Sequence, residues 1–194
     1  MRVHEIRAIF DEHTVRVYQA YPVAIADAAI KAGTFVAPFS LDRMTWIKPS
    51  FNWMMYRCGF ASKPRQERVL AIDMTCSGFE WALAHAARSS HSSARHLTAA
   101  EWRRELESYP VRVQWDPERD RWLDIVPGVR SIQIGLSGEA VRRYVEEWIV
   151  RFEDVTPLAV AAGKSAAARV QVALPCDLER AYPVPQELMH ICAA

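Results

Sequence analysis

The run Thr14-Val15-Arg16-Val17-Tyr18-Gln19-Ala20 is β-rich and alternating: Val15, Val17 and Gln19 fall on one face of an extended strand, and Arg16, Tyr18 and Ala20 on the other. The pattern returns at Val111-Arg112-Val113-Gln114-Trp115 and at Ser131-Ile132-Gln133-Ile134-Gly135-Leu136. Strands that alternate in this way belong to antiparallel or mixed sheets with one face covered, whereas a doubly wound parallel sheet uses continuously apolar strands. The expected fold is therefore α+β, a single domain with a mixed or antiparallel sheet and several flanking helices. No Walker or dinucleotide-type glycine motif is present, which disfavours P-loop and Rossmann folds.

Working outward, residues 6–10 pair with 14–20 as a hairpin across Asp11-Glu12-His13. After Pro22, apolar residues at helical spacing, an Asp27–Lys31 pair and the stop at Gly33 predict a helix. Pro49 favours the first turn of a second helix through Arg57, ended near Gly59. A strand over 69–74 leads into Ser77-Gly78-Phe79-Glu80, a capping-box pattern that starts a helix to about Arg88, and Thr98-Ala99-Ala100-Glu101 repeats the form. Ser137 is placed to cap a helix with a Val141, Tyr144, Val145, Trp148 stripe, followed by a last strand over 149–155. Residues 1–158 read as the core; the Ala-rich 159–168 run, as a helix or a linker, and an extended strap over 178–185 read as packing on the same domain.

Composition bounds the function. With 24 Lys+Arg against 23 Asp+Glu the formal charge is +1, so generic polyanion binding through excess cations is disfavoured and anion recognition has to be local. No apolar run approaches the ~20 residues of a membrane helix, and the N-terminal residues do not read as a signal segment, so a cytoplasmic protein without a membrane partner is expected. Cys58, Cys76, Cys176 and Cys192 are far apart and form no metal or redox pair. His91 and His96 flank a Ser-rich stretch that reads as a loop, and no metal is expected.

The chain carries 7 Trp. Trp81, Trp102 and Trp148 fall on amphipathic helices, Trp115 ends a strand and Trp122 lies in a charged loop, which leaves Trp46 and Trp53. Those two sit in Asp42-Arg43-Met44-Thr45-Trp46-Ile47-Lys48-Pro49-Ser50-Phe51-Asn52-Trp53-Met54-Met55-Tyr56-Arg57, where cations, hydroxyls and indoles lead into a helix start. Free amides at a helix start beside cations suit a phosphate, and an indole offers a stacking face. The packing alternative puts Trp53 in the core and pairs Arg57 with Asp42 or Asp73. Gln19 and Gln133 can orient a ribose hydroxyl or an amide but cannot act as general bases. The carboxylates Asp42, Asp73, Asp116, Asp120, Glu139, Glu153 and Asp154 show no spacing that pairs any two.

These words, with Val17-Tyr18-Gln19-Ala20-Tyr21, Val113-Gln114-Trp115-Asp116-Pro117-Glu118-Arg119-Asp120, residues 130–136, Glu146-Glu147-Trp148-Ile149 and Tyr182-Pro183-Val184-Pro185, resemble domain of unknown function 4291 over nearly the whole chain. That family implies no established reaction. At the level of fold, Tyr18-Gln19, residues 24–33 and residues 130–133 are similar to parts of ADP-ribosyltransferase-like domains. This similarity implies NAD as cofactor, with Gln19 and Gln133 at the catalytic positions. The chain departs from the pattern, with Gln19 where Arg or His is usual and no Glu on the strand of Gln133 to face an oxocarbenium-like state.

The expected function is nucleotide or NAD binding, with ADP-ribose transfer as its enzymatic form. Tyr18, Arg43, Thr45, Trp46, Lys48, Ser50, Trp53 and Arg57 are the expected cofactor-binding residues, with nucleic acid as a further substrate or ligand. The expectation from a different class is a non-catalytic module for single-stranded nucleic acid or for a protein partner.

Overall fold

The computed structural model describes residues 3–88 and 98–192 and has an α+β architecture. The largest sheet holds Val3–His4 (β1), Thr45–Ile47 (β4), Ala86–Arg88 (β6), Val111–Arg119 (β7) and Ile125–Leu136 (β8). Its path is β1-β8-β7-β6, with β4 also on β8; β1–β8 and β6–β7 are parallel and the other pairs antiparallel, so the sheet is mixed. Thr14–Tyr21 (β3), Arg68–Thr75 (β5) and Ile149–Asp154 (β9) form an antiparallel sheet in the order β3-β5-β9. Arg7–Ala8 (β2) pairs with Arg180–Ala181 (β10).

The three-stranded sheet is covered on both faces, which explains the continuously apolar centre of β5. Leu70, Ile72 and Met74 join the main core with Val15, Val17, Ile132 and Ile134. Val69 and Ala71 face the opposite way, into a second core with Tyr18, Phe51, Met54 and Met55 beneath helices Phe51–Cys58 (α2) and Thr156–Ala168 (α6). The residues 159–168 are thus helical, and the C-terminal strap is tied down by Tyr182, which donates its backbone N–H to the Ile6 carbonyl and buries its ring in the main core.

One backbone link positions the site. Tyr18 and Lys48 exchange both backbone hydrogen bonds, at 2.7 and 3.2 Å, and so tie β3 to the end of β4. Beyond that bridge the two strands continue as Gln19-Ala20-Tyr21 and Trp46-Thr45, and a cleft opens over them. Alternation along β4 sends Thr45 and Ile47 inward and leaves Trp46 half-buried on the cleft side.

Several local expectations are corrected. Asp27 pairs with Arg68 at 2.7 Å on the sheet beneath Val23–Ala32 (α1), so it does not serve Lys31. Pro49 precedes α2, whose N-cap is Ser50. Helix Cys76–Ala84 (α3) is capped by Thr75, whose hydroxyl accepts from Gly78 N–H, not by Ser77. It stops at Ala84 because residues 86–88 pair with β7. Before Glu139–Arg143 (α5) the N-cap is Gly138 in a positive-φ conformation, and the Ser137 hydroxyl instead donates to Pro110 O. The Val141, Tyr144, Val145, Trp148 stripe does pack inward, through a π-helical turn over Tyr144–Trp148. The Thr98 capping box on Ala99–Ser108 (α4) forms as read, with Thr98 and Glu101 bonded reciprocally.

No disulfide joins Cys58, Cys76, Cys176 and Cys192. Among the described residues no helix is long and apolar enough to cross a membrane. The Ser-rich stretch with His91 and His96, read from sequence as a loop, lies outside the described residues.

Candidate functional site

The cleft encloses about 540 Å³ between the cleft-side face of the large sheet, the end of β3 and the flank of α2. Its floor follows from strand register. Gln114 lies opposite Gln133 across β7–β8, and Asp116, two residues on, shares their face. Gln133 donates to Asp116 Oδ2 at 2.6 Å and Gln114 to Oδ1 at 2.9 Å. An ionised carboxylate can only accept, so both amides are obliged to point their NH₂ groups at Asp116. Their carbonyl oxygens are thereby left as acceptors. Across β8 from this triplet, the Trp46 indole lies over Gly135: a Cβ there would come within 3.0 Å of the ring and 2.8 Å of the Met44 sulfur. Glycine at 135 lets the ring and the Met44 sulfur lie this close to the strand.

The wall at β3 is a hydrogen-bond network built on Gln19. Gln19 is buried, its Oε1 accepts from Tyr144 OH at 3.0 Å, and its Nε2 lies 2.6 Å from Thr45 Oγ1, 2.9 Å from Tyr21 OH and 3.3 Å from Trp46 O. Tyr21 OH and Thr45 Oγ1 are 2.5 Å apart. The Gln19 amide is spent within the protein, and what it delivers to the cleft is a fixed pair of hydroxyls. Since one hydroxyl hydrogen serves the Tyr21–Thr45 contact, the other is surplus and can be offered to a ligand. Burial holds the Tyr21 phenol well above its ordinary pKa, so it stays protonated and able to donate. Thr45→Val keeps the volume but strands this network. We expect a loss of about 1–3 kcal/mol in urea unfolding, with a cost below 0.5 kcal/mol showing that the network is slack.

The third wall is α2. Helical spacing puts Trp53 and Arg57 one turn apart, and both line the cleft together with Lys48. The Trp53 ring is stacked on Tyr56 at 5.1 Å, which takes one of its faces, while its Nε1 has no hydrogen-bond partner. Lys48 donates to Trp46 O at 3.1 Å, and burial with Arg57 nearby brings its ammonium down to about 7 from an ordinary 10.5. Arg57 is exposed and pairs with neither Asp42 nor Asp73; Arg16 holds Asp73 at 2.8 Å, and Asp42 lies 3.9 Å from Arg142.

The geometry thus gathers Gln19, Thr45, Trp46, Lys48, Trp53, Arg57 and Gln133 around one cleft. It separates three other expected residues. Tyr18 points away from Gln19, as strand alternation demands, and is buried edge-to-face against Phe51 in the second core. Ser50 caps α2 and faces a different cavity, where it donates to Glu118. Arg43 lines a neighbouring cleft with Arg65, which shares Tyr21, Met44 and Thr45 with this one. The α2 start is not an open anion site either: Glu179 Oε1 accepts Phe51 N–H at 2.7 Å and Ser50 Oγ accepts Trp53 N–H at 3.2 Å.

A family model described as Domain of unknown function (DUF4291) matches residues 5–182. The chain belongs to this family. No curated protein matches it. The stretch matched to DUF4291 carries every wall of the cleft, from Gln19 to Gln133, and reaches Glu179 at the α2 start. Three groups in this DUF4291 site were not among the residues expected from sequence: Tyr21, which follows Gln19 by two on the same strand face, and Gln114 and Asp116. Asp116 is the carboxylate lining the cleft among the described residues. The signal for Gln114 and Asp116 was the β7–β8 register, because Gln133 stands opposite Gln114 once the two alternating strands are paired as a hairpin.

Proposed function

We propose that the cleft binds a nucleotide, with NAD among the ligands it would take. What carries this reading is the convergence of three unlike chemistries in a volume typical of small-molecule sites: the half-buried Trp46 indole, the Gln114–Asp116–Gln133 triplet, and the cations Lys48 and Arg57. A base or nicotinamide ring would lie against Trp46. Its amine or amide hydrogens, or a ribose hydroxyl, would reach the carbonyls of Gln114 and Gln133. The surplus hydroxyl hydrogen of Tyr21 and Thr45 would meet a sugar oxygen, and Lys48 with Arg57 would face the phosphates. Gln19 then acts as a positioning residue for Thr45 and Tyr21.

In the transferase form of this reading, Asp116 supplies the negative charge that Gln133 cannot. As the C1′–N bond of NAD breaks and nicotinamide leaves with the bonding pair, the carboxylate would face the developing ribosyl cation, and an acceptor nucleophile would then take C1′. Nucleic acid enters as a second reading because Arg43 and Arg65 line the adjoining cleft and would extend the track of cations.

Calorimetric titration with NAD, ADP, AMP and GTP tests the proposal. The expected result is saturable binding by one or more of them, weakened about tenfold or more by Trp46→Ala and more weakly by Arg57→Gln. Absence of saturable binding by the folded protein to all four would overturn it. A single-stranded oligonucleotide retained in preference, with affinity falling steeply with salt, would favour the second reading.

A further inference from the structure

Lys48 is only 6% exposed, yet it makes a single side-chain hydrogen bond, to the Trp46 carbonyl. No carboxylate oxygen among the described residues lies within 4.0 Å of its Nζ. Beside it in the same cleft is Trp53, 4% exposed, whose Nε1–H is buried without an acceptor. Arg57, one turn further along α2, adds a guanidinium that pairs with no acid among the described residues. Lys48 therefore has one internal acceptor, the Trp53 and Arg57 side chains have none among the described residues, and all three line the same cleft. An unpaired buried donor costs about 1–3 kcal/mol, and a buried charge more, unless something completes it.

We propose that Lys48, Trp53 and Arg57 form an anion subsite that accepts one phosphoryl group, and that a proton is taken up on Lys48 as the group binds. This deepens the nucleotide reading and rests on it for the rest of the ligand. The free state holds the amine only partly protonated, because burial and Arg57 disfavour its charge while Cys58 of α2 and the more distant Asp116 of β7 favour it. The phenols of Tyr18 and Tyr21 on β3 are kept protonated by burial and bring no charge of their own. A dianion brought against Lys48 reverses the balance, since an opposite charge at contact favours the ammonium. By linkage, affinity falls about tenfold per pH unit between the free and the bound titration midpoints of Lys48.

Sulfate tests this cleanly, because its charge is constant from pH 6 to 10 and it carries no base or sugar. The chain has four lysines, Lys31, Lys48, Lys63 and Lys164, so ¹³Cε signals of lysine-labelled protein can be followed singly. In chloride the Lys48 signal is expected to titrate near pH 7; in saturating sulfate at matched ionic strength its midpoint should rise by at least one unit. The indole ¹⁵N–¹H signal of Trp53 should move in step. Trp53→Phe, which keeps a ring against Tyr56, and Arg57→Gln should each weaken sulfate several-fold, and Lys48→Met should abolish the proton uptake in every variant that folds. A Lys48 midpoint at its ordinary 10.5, or one that sulfate leaves unmoved, overturns the proposal. Nucleotides that bind without moving Lys48 sink the subsite and spare the nucleotide reading; sulfate that behaves as expected while no nucleotide binds does the reverse.

Discussion

Gly78→Ala is expected to destabilise the fold by about 3 kcal/mol, which for a chain of this size lowers the melting temperature by roughly 6–12 °C. Gly78 lies in the first turn of α3, where alanine would normally gain up to about 1 kcal/mol over glycine. The added Cβ, however, would sit 2.4 Å from Cγ and 2.7 Å from Cδ1 of Trp148. That indole is buried in the main core at the end of the π-helical turn and has no room to withdraw. Either α3 or the turn carrying Trp148 has to shift, and both pack on β5. Thermal unfolding of the variant checks this, and adding Trp148→Leu should recover part of the loss, giving a coupling energy between two positions in contact. A neutral or stabilising alanine would show that the helix and the indole are not in contact.

Glu179→Gln is expected to change the pH dependence of stability more than its value at acid pH. Glu179 is 8% exposed; burial and the neighbouring Glu118 raise its carboxyl to about 8, although Phe51 N–H and Arg7 pull the other way. The native state therefore binds a proton that the unfolded chain, titrating near 4.5, has already lost. Between pH 4.5 and about 8 the Glu179 contribution to stability falls as pH rises, by up to about 5 kcal/mol over the whole window. Glutamine cannot ionise and still offers a carbonyl to Phe51 N–H, so the variant should overtake the wild type as pH passes through neutrality. Removing the charge also relieves Glu118, whose carboxyl is raised by its own burial. Urea midpoints at pH 5, 7 and 9 measure the difference. Parallel curves for the two proteins would show that Glu179 does not titrate in this window.

What could be read from sequence follows the range of the interactions. The Thr98 capping box is local and formed as read; α1 with its stop at Gly33 is equally local. The Ser77-x-x-Glu80 pattern misled because β5 runs unbroken to Thr75, which then caps α3 directly, two residues early. The same helix ended early because Ala86 and its neighbours are claimed by β7, a tertiary pairing that overrides helical preference. At the site, Trp46, Lys48, Trp53 and Arg57 were legible because they lie within twelve residues of one another across a strand and the next helix. Asp116 was not, because its place depends on β7–β8 register, and Glu179 reaches the start of α2 from 128 residues away. Tyr18 was misplaced because its ring is taken by Phe51 of α2 in the second core, a tertiary contact that strand alternation does not reveal.

The central claim is that a nucleotide seats in the cleft over Trp46 and between β3 and α2. The 6 methionines offer a direct report: Met44 and Met54 line the cleft, whereas Met74 lies in the main core and Met189 is exposed on the C-terminal strap. With ¹³C-methyl-methionine protein and saturating NAD or AMP, the Met44 and Met54 signals should shift together along one binding curve while Met74 and Met189 stay fixed. Binding that leaves Met44 and Met54 unmoved, or that shifts Met189 instead, would contradict the account.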